Sequence, residues 1–357
     1  MVLLVLLRTQ LTTFVERPSF TNLELNKTHQ NKSQGRHHIA FLKVHKAGST
    51  TMQNIFFRFG LKHNLTFVLN QDINGYWPDC ATCPNKILPV KTGNHFDIFA
   101  THTAYHQQSF GKFLPQDKVT VAIVREPFER FVSAAYYYRD ARNAKYLQKV
   151  SKKTFVHDLV MHSDIYDTDQ FSRTKNAMGR DFGFSSSIKE TDKGLIFNYL
   201  QQLNREFNFV SIMERFEESA VLLKRFMNWT TPDIVYLQKN SNTHDVVNAT
   251  EAMRGKHRKL NFLDYALYEF FLREFERKIE AEKNEFKEEV EQLRIVLNRT
   301  KYFCEDSQEK TKVLNIMASR WNDYFTISKE DCAWMKLSEK DFISFLRKRH
   351  KAMQGLD

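Results

Sequence analysis

Long apolar runs are missing from this 357-residue sequence: the most membrane-like stretch is Met1 to Leu7, where a bilayer-spanning helix needs about 20 residues. It reads as the end of a longer signal-anchor or as chance, followed by a polar, flexible stem from Thr21 to His38. Glycine and proline are scarce, 11 and 7 residues, which excludes collagen-like repeats and disorder driven by those residues. Acidic charge is in deficit, 42 Asp and Glu against 53 Lys and Arg, so the net charge of +11 favours an anionic partner. The surplus is scattered, with no RNP, zinc-finger or basic-zipper pattern, and nucleic acid is the weakest of the anionic candidates.

Cysteine is also scarce. Cys80 and Cys83 form one CxxC, and Cys304 and Cys332 stand alone, so a two-pair zinc ribbon cannot be built. Six Asn-x-Ser/Thr sequons, at Asn26, Asn31, Asn64, Asn228, Asn248 and Asn298, point to a glycosylated lumenal chain in which cysteines pair. The expected pairs are Cys304 with Cys332, and Cys80 with Cys83 locally.

What is present is a globular chain: 42% hydrophobic residues, 31 of them Phe, demand a core. From Ile39 onward, short apolar runs alternate with amphipathic segments, the rhythm of an α/β fold with a parallel sheet and flanking helices. Strands are expected at 39–44, 65–69, 96–100, 119–124 and 207–213, and helices at 51–63, 128–139, 217–228 and 263–298. The last helix carries one apolar stripe, which either docks on the parent domain or joins two copies as a homodimer. The charged segment 140–153 and the Gly183-containing segment 181–191 read as excursions at a sheet edge. The domain plan is an anchor end and stem over 1–37, one folded domain over 38–350 with helical additions, and a tail over 351–357.

The most informative stretch runs from Ile39 to Met52, an apolar strand entering the loop His45-Lys-Ala-Gly-Ser-Thr-Thr51 and then a helix. Gly48 lets backbone approach a ligand, amides from Ala47 to Thr51 can point at an anion, and Ser49, Thr50 and Thr51 add hydroxyls. A nucleoside-triphosphatase loop places its Lys after the glycines, whereas Lys46 precedes Gly48 and lies where charge builds on a bridging oxygen. Taken alone, the loop also fits an ordinary capped helix start.

A second strand, 119–124, ends in Arg125 and feeds a helix that carries Ser133, a pair able to clamp a second phosphate. A third, 96–100, delivers His102 near the same edge, and histidine suits general-base work near neutral pH.

At these residues the chain resembles a family. Lys46-Ala-Gly-Ser-Thr-Thr51 is similar to the 5′-phosphosulfate loop of sulfotransferases, and Arg125-x-Pro-x-x-Arg-x-x-Ser133 to their 3′-phosphate motif. Phe41-Leu-Lys-Val-His-Lys46 with Asn54-Ile-Phe-Phe-Arg-Phe59 resembles the galactose-3-O-sulfotransferases in particular, and the likeness continues through Asn176-Ala-Met-Gly-Arg-Asp-Phe-Gly183 and Met213-Glu-Arg-Phe-Glu-Glu-Ser219. Ala47-Gly48 departs from the expected Thr-Ala or similar, and the segment Cys80-x-x-Cys83 has no assigned place in the pattern; both bear on acceptor choice more than on chemistry.

The resemblance implies a P-loop-like sulfotransferase fold and a 3′-phosphoadenosine 5′-phosphosulfate (PAPS) donor. It also implies a galactose-terminated glycolipid or glycan acceptor, and a Golgi lumenal domain held through an N-terminal anchor. Transfer would be in-line at sulfur, with no obligatory metal. Lys46 would stabilise the leaving oxygen, the loop would hold the 5′-phosphate, and Arg125 with Ser133 the 3′-phosphate. By likeness to hexuronyl sulfotransferases His102 is the first choice as base, with His45 the competitor. A uronyl 2-O-sulfotransferase and a non-catalytic glycan-binding module are the alternatives; a sugar or nucleoside kinase is disfavoured by the displaced Lys.

Overall fold

A computed structural model describes residues 35–71, 86–91, 94–141, 144–169, 172–238, 247–282, 285–306 and 312–355. The stem up to residue 34, the CxxC, and the sequons at Asn26 and Asn31 lie outside them.

Four parallel strands form the central sheet in the order β2-β1-β3-β4: β1 (Ile39–Leu42), β2 (Ile98–Phe99), β3 (Val119–Val124) and β4 (Phe209–Ile212). Every residue of these strands is buried, as a parallel sheet covered on both faces requires, which is why they read as unbroken apolar runs. Ile39 pairs with Ile98 on one side and Val119 on the other, while Val121 pairs with Phe209. Because β1 has neighbours that follow it in both directions, the crevice at its carboxyl end is where an open α/β sheet binds ligands.

Helix α1 (Ser49–Lys62) leaves β1 through the loop and buries Met52, Ile55, Phe56 and Phe59 against the sheet. Helix α2 (Pro127–Asp140) leaves β3; Pro127 occupies its first turn and the Glu126 side chain accepts from the Glu129 amide, so both chain chemistry and cap fix its start.

Three expectations change. The strand expected at 65–69 is reduced to a single bridge between Phe67 and Ile98, because the Asp97 carboxylate takes the Thr66 amide and Leu69 turns to pair with Leu88. The single helix expected at 263–298 is two, Phe262–Glu280 and Glu285–Glu305, since the first ends with the Ala281 amide bonded back to Arg277. Their stripe, including Leu267, Phe271, Phe275, Phe286, Val290 and Leu293, is buried in the parent core, so docking accounts for it. The third is the tail boundary at 350: it falls inside the helix Glu339–Gln354, whose Gln354 accepts from the Lys91 amide. Among the described residues no helix is long and apolar enough to cross a membrane.

The described part of the segment 140–153 packs: Tyr146, Leu147 and Val150 join α2 and the helix Phe155–Met161 in a second small core. A third core surrounds the disulfide Cys304–Cys332, which ties the helix Glu285–Glu305 to the helix Lys329–Lys336 beside the antiparallel pair β5 (Val313–Ile316) and β6 (Phe325–Ser328). The bond closes a separation of 28 residues, for which loop-closure entropy gives about 2–4 kcal/mol. Cys304→Ala should therefore lower the unfolding free energy by that amount in denaturant melts under non-reducing conditions, and an unchanged midpoint would show the bond to be energetically idle.

Candidate active site

The turn between β1 and α1 has two residues in the left-handed region, Lys46 at φ 62° and Gly48 at φ 73°. For lysine that conformation costs roughly 1 kcal/mol or more, and it persists only where surroundings over-determine it. Here the Arg125 guanidinium donates to the Lys46 carbonyl (3.3 Å) and the Lys46 ammonium lies 3.9 Å from the centre of the Tyr137 ring. No carboxylate pairs with Lys46 among the described residues. Burial, then the positive charges of Arg125, Lys43 and Arg130, push its pKa down to about 8. An ammonium so placed gains from any anion brought to the loop.

The loop hydroxyls divide. Ser49 Oγ donates to the Val44 carbonyl (2.6 Å) and is buried, so its proton is committed to backbone, and Thr51 is buried as well. Thr50 is only partly covered. The helix start itself, with the dipole of α1 behind it, is therefore the main anion donor. Arg125 follows β3 directly, and Ser133 stands one turn before Tyr137 on the same face of α2, the face that meets Lys46. The other arginine of that motif, Arg130, is fully buried: it donates to the Thr174 carbonyl (2.9 Å) and faces Asp264 at 3.7 Å, which makes it an architectural cation.

The two histidines stack, ring centres 4.2 Å apart. Their hydrogen bonds differ. His102 Nδ1 donates to the Lys43 carbonyl (3.1 Å) and Nε2 accepts from the Lys43 ammonium (2.9 Å), which in turn reaches Glu339 (2.9 Å). Desolvation and the neighbouring Lys43 charge hold the His102 pKa well below the ordinary histidine value, so the ring is neutral with its lone pair engaged. His45 Nδ1 donates to Asp181 (2.9 Å), whose Oδ2 also takes the His45 amide (2.8 Å); this fixes the tautomer that carries a lone pair on Nε2. A polar recess opens beside this pair, lined by His45, Tyr138, Arg173, Ala177, Arg180 and Asp181.

The structure thus brings Lys46, the loop, Arg125, His45 and His102 together at one end of the sheet. Sequence reasoning missed Lys43, Asp181, Glu339 and Arg173. Lys43 left a trace, a cation interrupting an apolar strand run; Asp181 sat inside a quoted motif with no role given to it; Glu339 and Arg173 left none.

A model of the galactose-3-O-sulfotransferase family matches residues 1–339. The chain belongs to the galactose-3-O-sulfotransferase family. Among its relatives, human galactosylceramide sulfotransferase is 28% identical over 278 residues, covering 76% of this chain and 65% of that protein. Mouse galactose-3-O-sulfotransferase 2 is 30% identical over 264 residues, 72% of this chain and 66% of the relative, and mouse galactose-3-O-sulfotransferase 3 is 30% identical over 254 residues, 68% and 57%. The chain therefore spans a little under two thirds of the length of the galactosylceramide sulfotransferases it matches.

Ala47-Gly48 departs from the expected Thr-Ala or similar, and the glycine takes its left-handed conformation without the strain a side chain would bring. A Cβ on Gly48 would lie 2.0 Å from the Met213 sulfur at the end of β4. Gly48→Ala should destabilise the protein by about 1–3 kcal/mol through clash plus left-handed strain. Made in a Met213→Ala background, the same substitution should meet no clash and cost about 1 kcal/mol relative to Met213→Ala alone; no cost in that comparison by chemical denaturation would show the conformation to be unstrained.

Proposed function

We propose that this chain transfers a sulfuryl group from PAPS to the 3-hydroxyl of a terminal galactose on a glycolipid or glycoprotein glycan. The setting is the Golgi lumen, with the protein held through an N-terminal anchor. The reading rests on one observation: an ammonium that meets no carboxylate among the described residues, on a left-handed turn, lies at the same sheet end as a histidine–aspartate pair. Relatives named for galactosylceramide and for galactose match at similar identity, 28% and 30%, so galactose is the acceptor unit they have in common. The described sequon residues Asn64, Asn228, Asn248 and Asn298 are all exposed, as lumenal glycan attachment requires.

The residues fit the donor. Lys46, Arg125 and the amino terminus of α1 offer positive charge in excess of their carboxylates, which suits a ligand with phosphates at two positions. PAPS, when bound, supplies the sulfuryl group and a phosphate leaving group. Arg125 and Ser133 would hold the 3′-phosphate, and the turn 46–51 the 5′-phosphosulfate. His45 Nε2 takes the proton of the acceptor hydroxyl as its oxygen bonds to sulfur. Asp181 stabilises the imidazolium that results, and Lys46 meets the negative charge left on the phosphate oxygen as the S–O bond breaks. This assigns the base to His45 rather than to His102, whose lone pair is held by Lys43. His102 and Lys43 then position the His45 ring by stacking.

Labelled-sulfate transfer to a panel of galactose-terminated and uronate-containing acceptors tests the reading; transfer to the uronates alone would overturn the acceptor assignment. His45→Ala should lose 10²- to 10⁴-fold in turnover with donor affinity spared, by general-base estimates. His102→Ala should lose less. The reverse order would return the base role to His102.

Lys46 also sets a pH dependence. Its ammonium is present below about pH 8 and lost above, so kcat/KM for the donor should fall as pH rises through that value. Bound phosphates favour the charged form, so the limb in kcat should lie higher. Lys46→Arg should erase the kcat/KM limb up to about pH 10, whatever its effect on rate, because guanidinium stays protonated; a limb unmoved by the substitution would belong to another group.

A further inference from the structure

The opposite end of the same sheet carries a second cluster of chemically active side chains. His38 precedes β1, Asp97 precedes β2 and Asp117 precedes β3, and the parallel register brings these three strand starts side by side. Backbone bonds lock them: the Ile39 amide donates to the Asp97 carbonyl and the Val119 amide to the His38 carbonyl, both at 2.8 Å.

Asp97 Oδ1 is the focus. It lies 3.4 Å from His38 Nε2 and 3.0 Å from His95 Nε2, and the three ligand atoms all lie within 4.8 Å of one another. The other Asp97 oxygen is taken by the Thr66 amide (2.7 Å), which leaves Oδ1 as a single directed donor. His38 Nδ1 faces Asp117 at 2.7 Å. The Asp117 contact fixes the ring through Nδ1 and leaves Nε2 on the side of Asp97, 3.4 Å from its Oδ1. Two imidazole nitrogens and one carboxylate oxygen thus converge on one point, with a second carboxylate behind His38, the donor set of a cation site.

We propose that His38, His95 and Asp97 bind a zinc ion at the amino-terminal edge of the sheet, with Asp117 orienting His38. Two imidazoles and one carboxylate suit zinc rather than magnesium or calcium, which prefer all-oxygen shells. Ligand atoms about 2.0–2.1 Å from a tetrahedral ion lie roughly 3.3 Å apart, close to both separations at Asp97 Oδ1. The remaining edge closes by rotation of His95, whose side chain is 58% exposed. Water completes the shell. The ion would tie the starts of β1 and β2 where the chain enters the folded domain, at the end of the strands opposite Lys46 and His45.

The test uses untagged, chelator-stripped protein titrated with zinc alone, followed by calorimetry and thermal melting. One equivalent should bind, and the melting temperature should rise by about 5 °C at a hundred-fold excess over Kd. His95→Ala, a surface change, should weaken zinc at least ~10²-fold, and Asp117→Ala should weaken it ~10- to 100-fold, as loss of an orienting carboxylate does. His45→Ala should leave binding unchanged. Cobalt in place of zinc should give the intense visible absorption of a tetrahedral site in the parent and not in His95→Ala. Absence of stoichiometric binding overturns the proposal. Binding that survives His95→Ala and fails in His45→Ala also overturns it, placing the metal at the other end of the sheet.

Discussion

Four cations, Lys43, Lys46, Arg125 and Arg130, crowd the carboxyl ends of β1 and β3, and much of the remaining chain is arranged around neutralising all but one. Lys43 is almost fully buried and reaches Glu339; Arg130 is fully buried and faces Asp264; Arg125 has Glu129 at 3.9 Å. A buried charge left without its partner costs several kcal/mol, so the carboxylates that face Lys43 and Arg130 are each held in place by a whole element of structure. Asp264 begins the helix Phe262–Glu280 and also takes the Gly179 amide, docking that helix on the segment that carries Asp181. Glu339 begins the helix Glu339–Gln354 and bonds Gln53 as well as Lys43, so the end of the described chain closes over α1. Lys46 alone keeps an aromatic ring in place of a carboxylate. Cation–π contact stabilises the ammonium without cancelling its charge, which is the condition for answering an incoming anion.

Parallel strands sort chemistry by direction. All four begin at one edge and end at the other, so residues just past the strands meet in the ligand crevice while residues just before them meet on the far side. The His38–His95–Asp97 cluster and the His45–His102 stack are the two products of this sorting, and β1, with strands paired on both sides, links them.

What could be read from sequence was whatever is continuous along the chain. The apolar runs of β1, β3 and β4, the glycine turn, and the Arg125-x-Pro start of α2 each declare themselves within about ten residues, because periodicity and turn chemistry are local. Pairings were not readable. His45 meets Asp181 across 136 positions and Lys43 meets Glu339 across 296, and no spacing rule reaches that far. The metal cluster was invisible for the same reason: a CxxC or an HxxxH announces a site, whereas His38, His95 and Asp97 become neighbours only once β1 and β2 pair. The long helix misled because its stripe continues in register across 281–284; an apolar period fixes which face is buried but not whether the backbone breaks between two docking surfaces.

The division of labour we propose for the stacked histidines follows from the same charge pattern. A base must accept a proton and then bear it beside a cluster of cations, which is affordable only with a carboxylate in contact. His45 has Asp181 at 2.9 Å, so its imidazolium would form within an ion pair. A proton on His102 would instead sit against the Lys43 ammonium at 2.9 Å, two like charges in a desolvated site, and the lone pair that must receive it already accepts a bond. His102 is thereby fixed as a neutral ring. A neutral ring stacked at 4.2 Å holds the His45 plane without competing for its proton, and Glu339, by pairing with Lys43, keeps that ammonium directed at His102. The acid–base asymmetry of the site is set, in the end, by which histidine received the aspartate and which received the lysine.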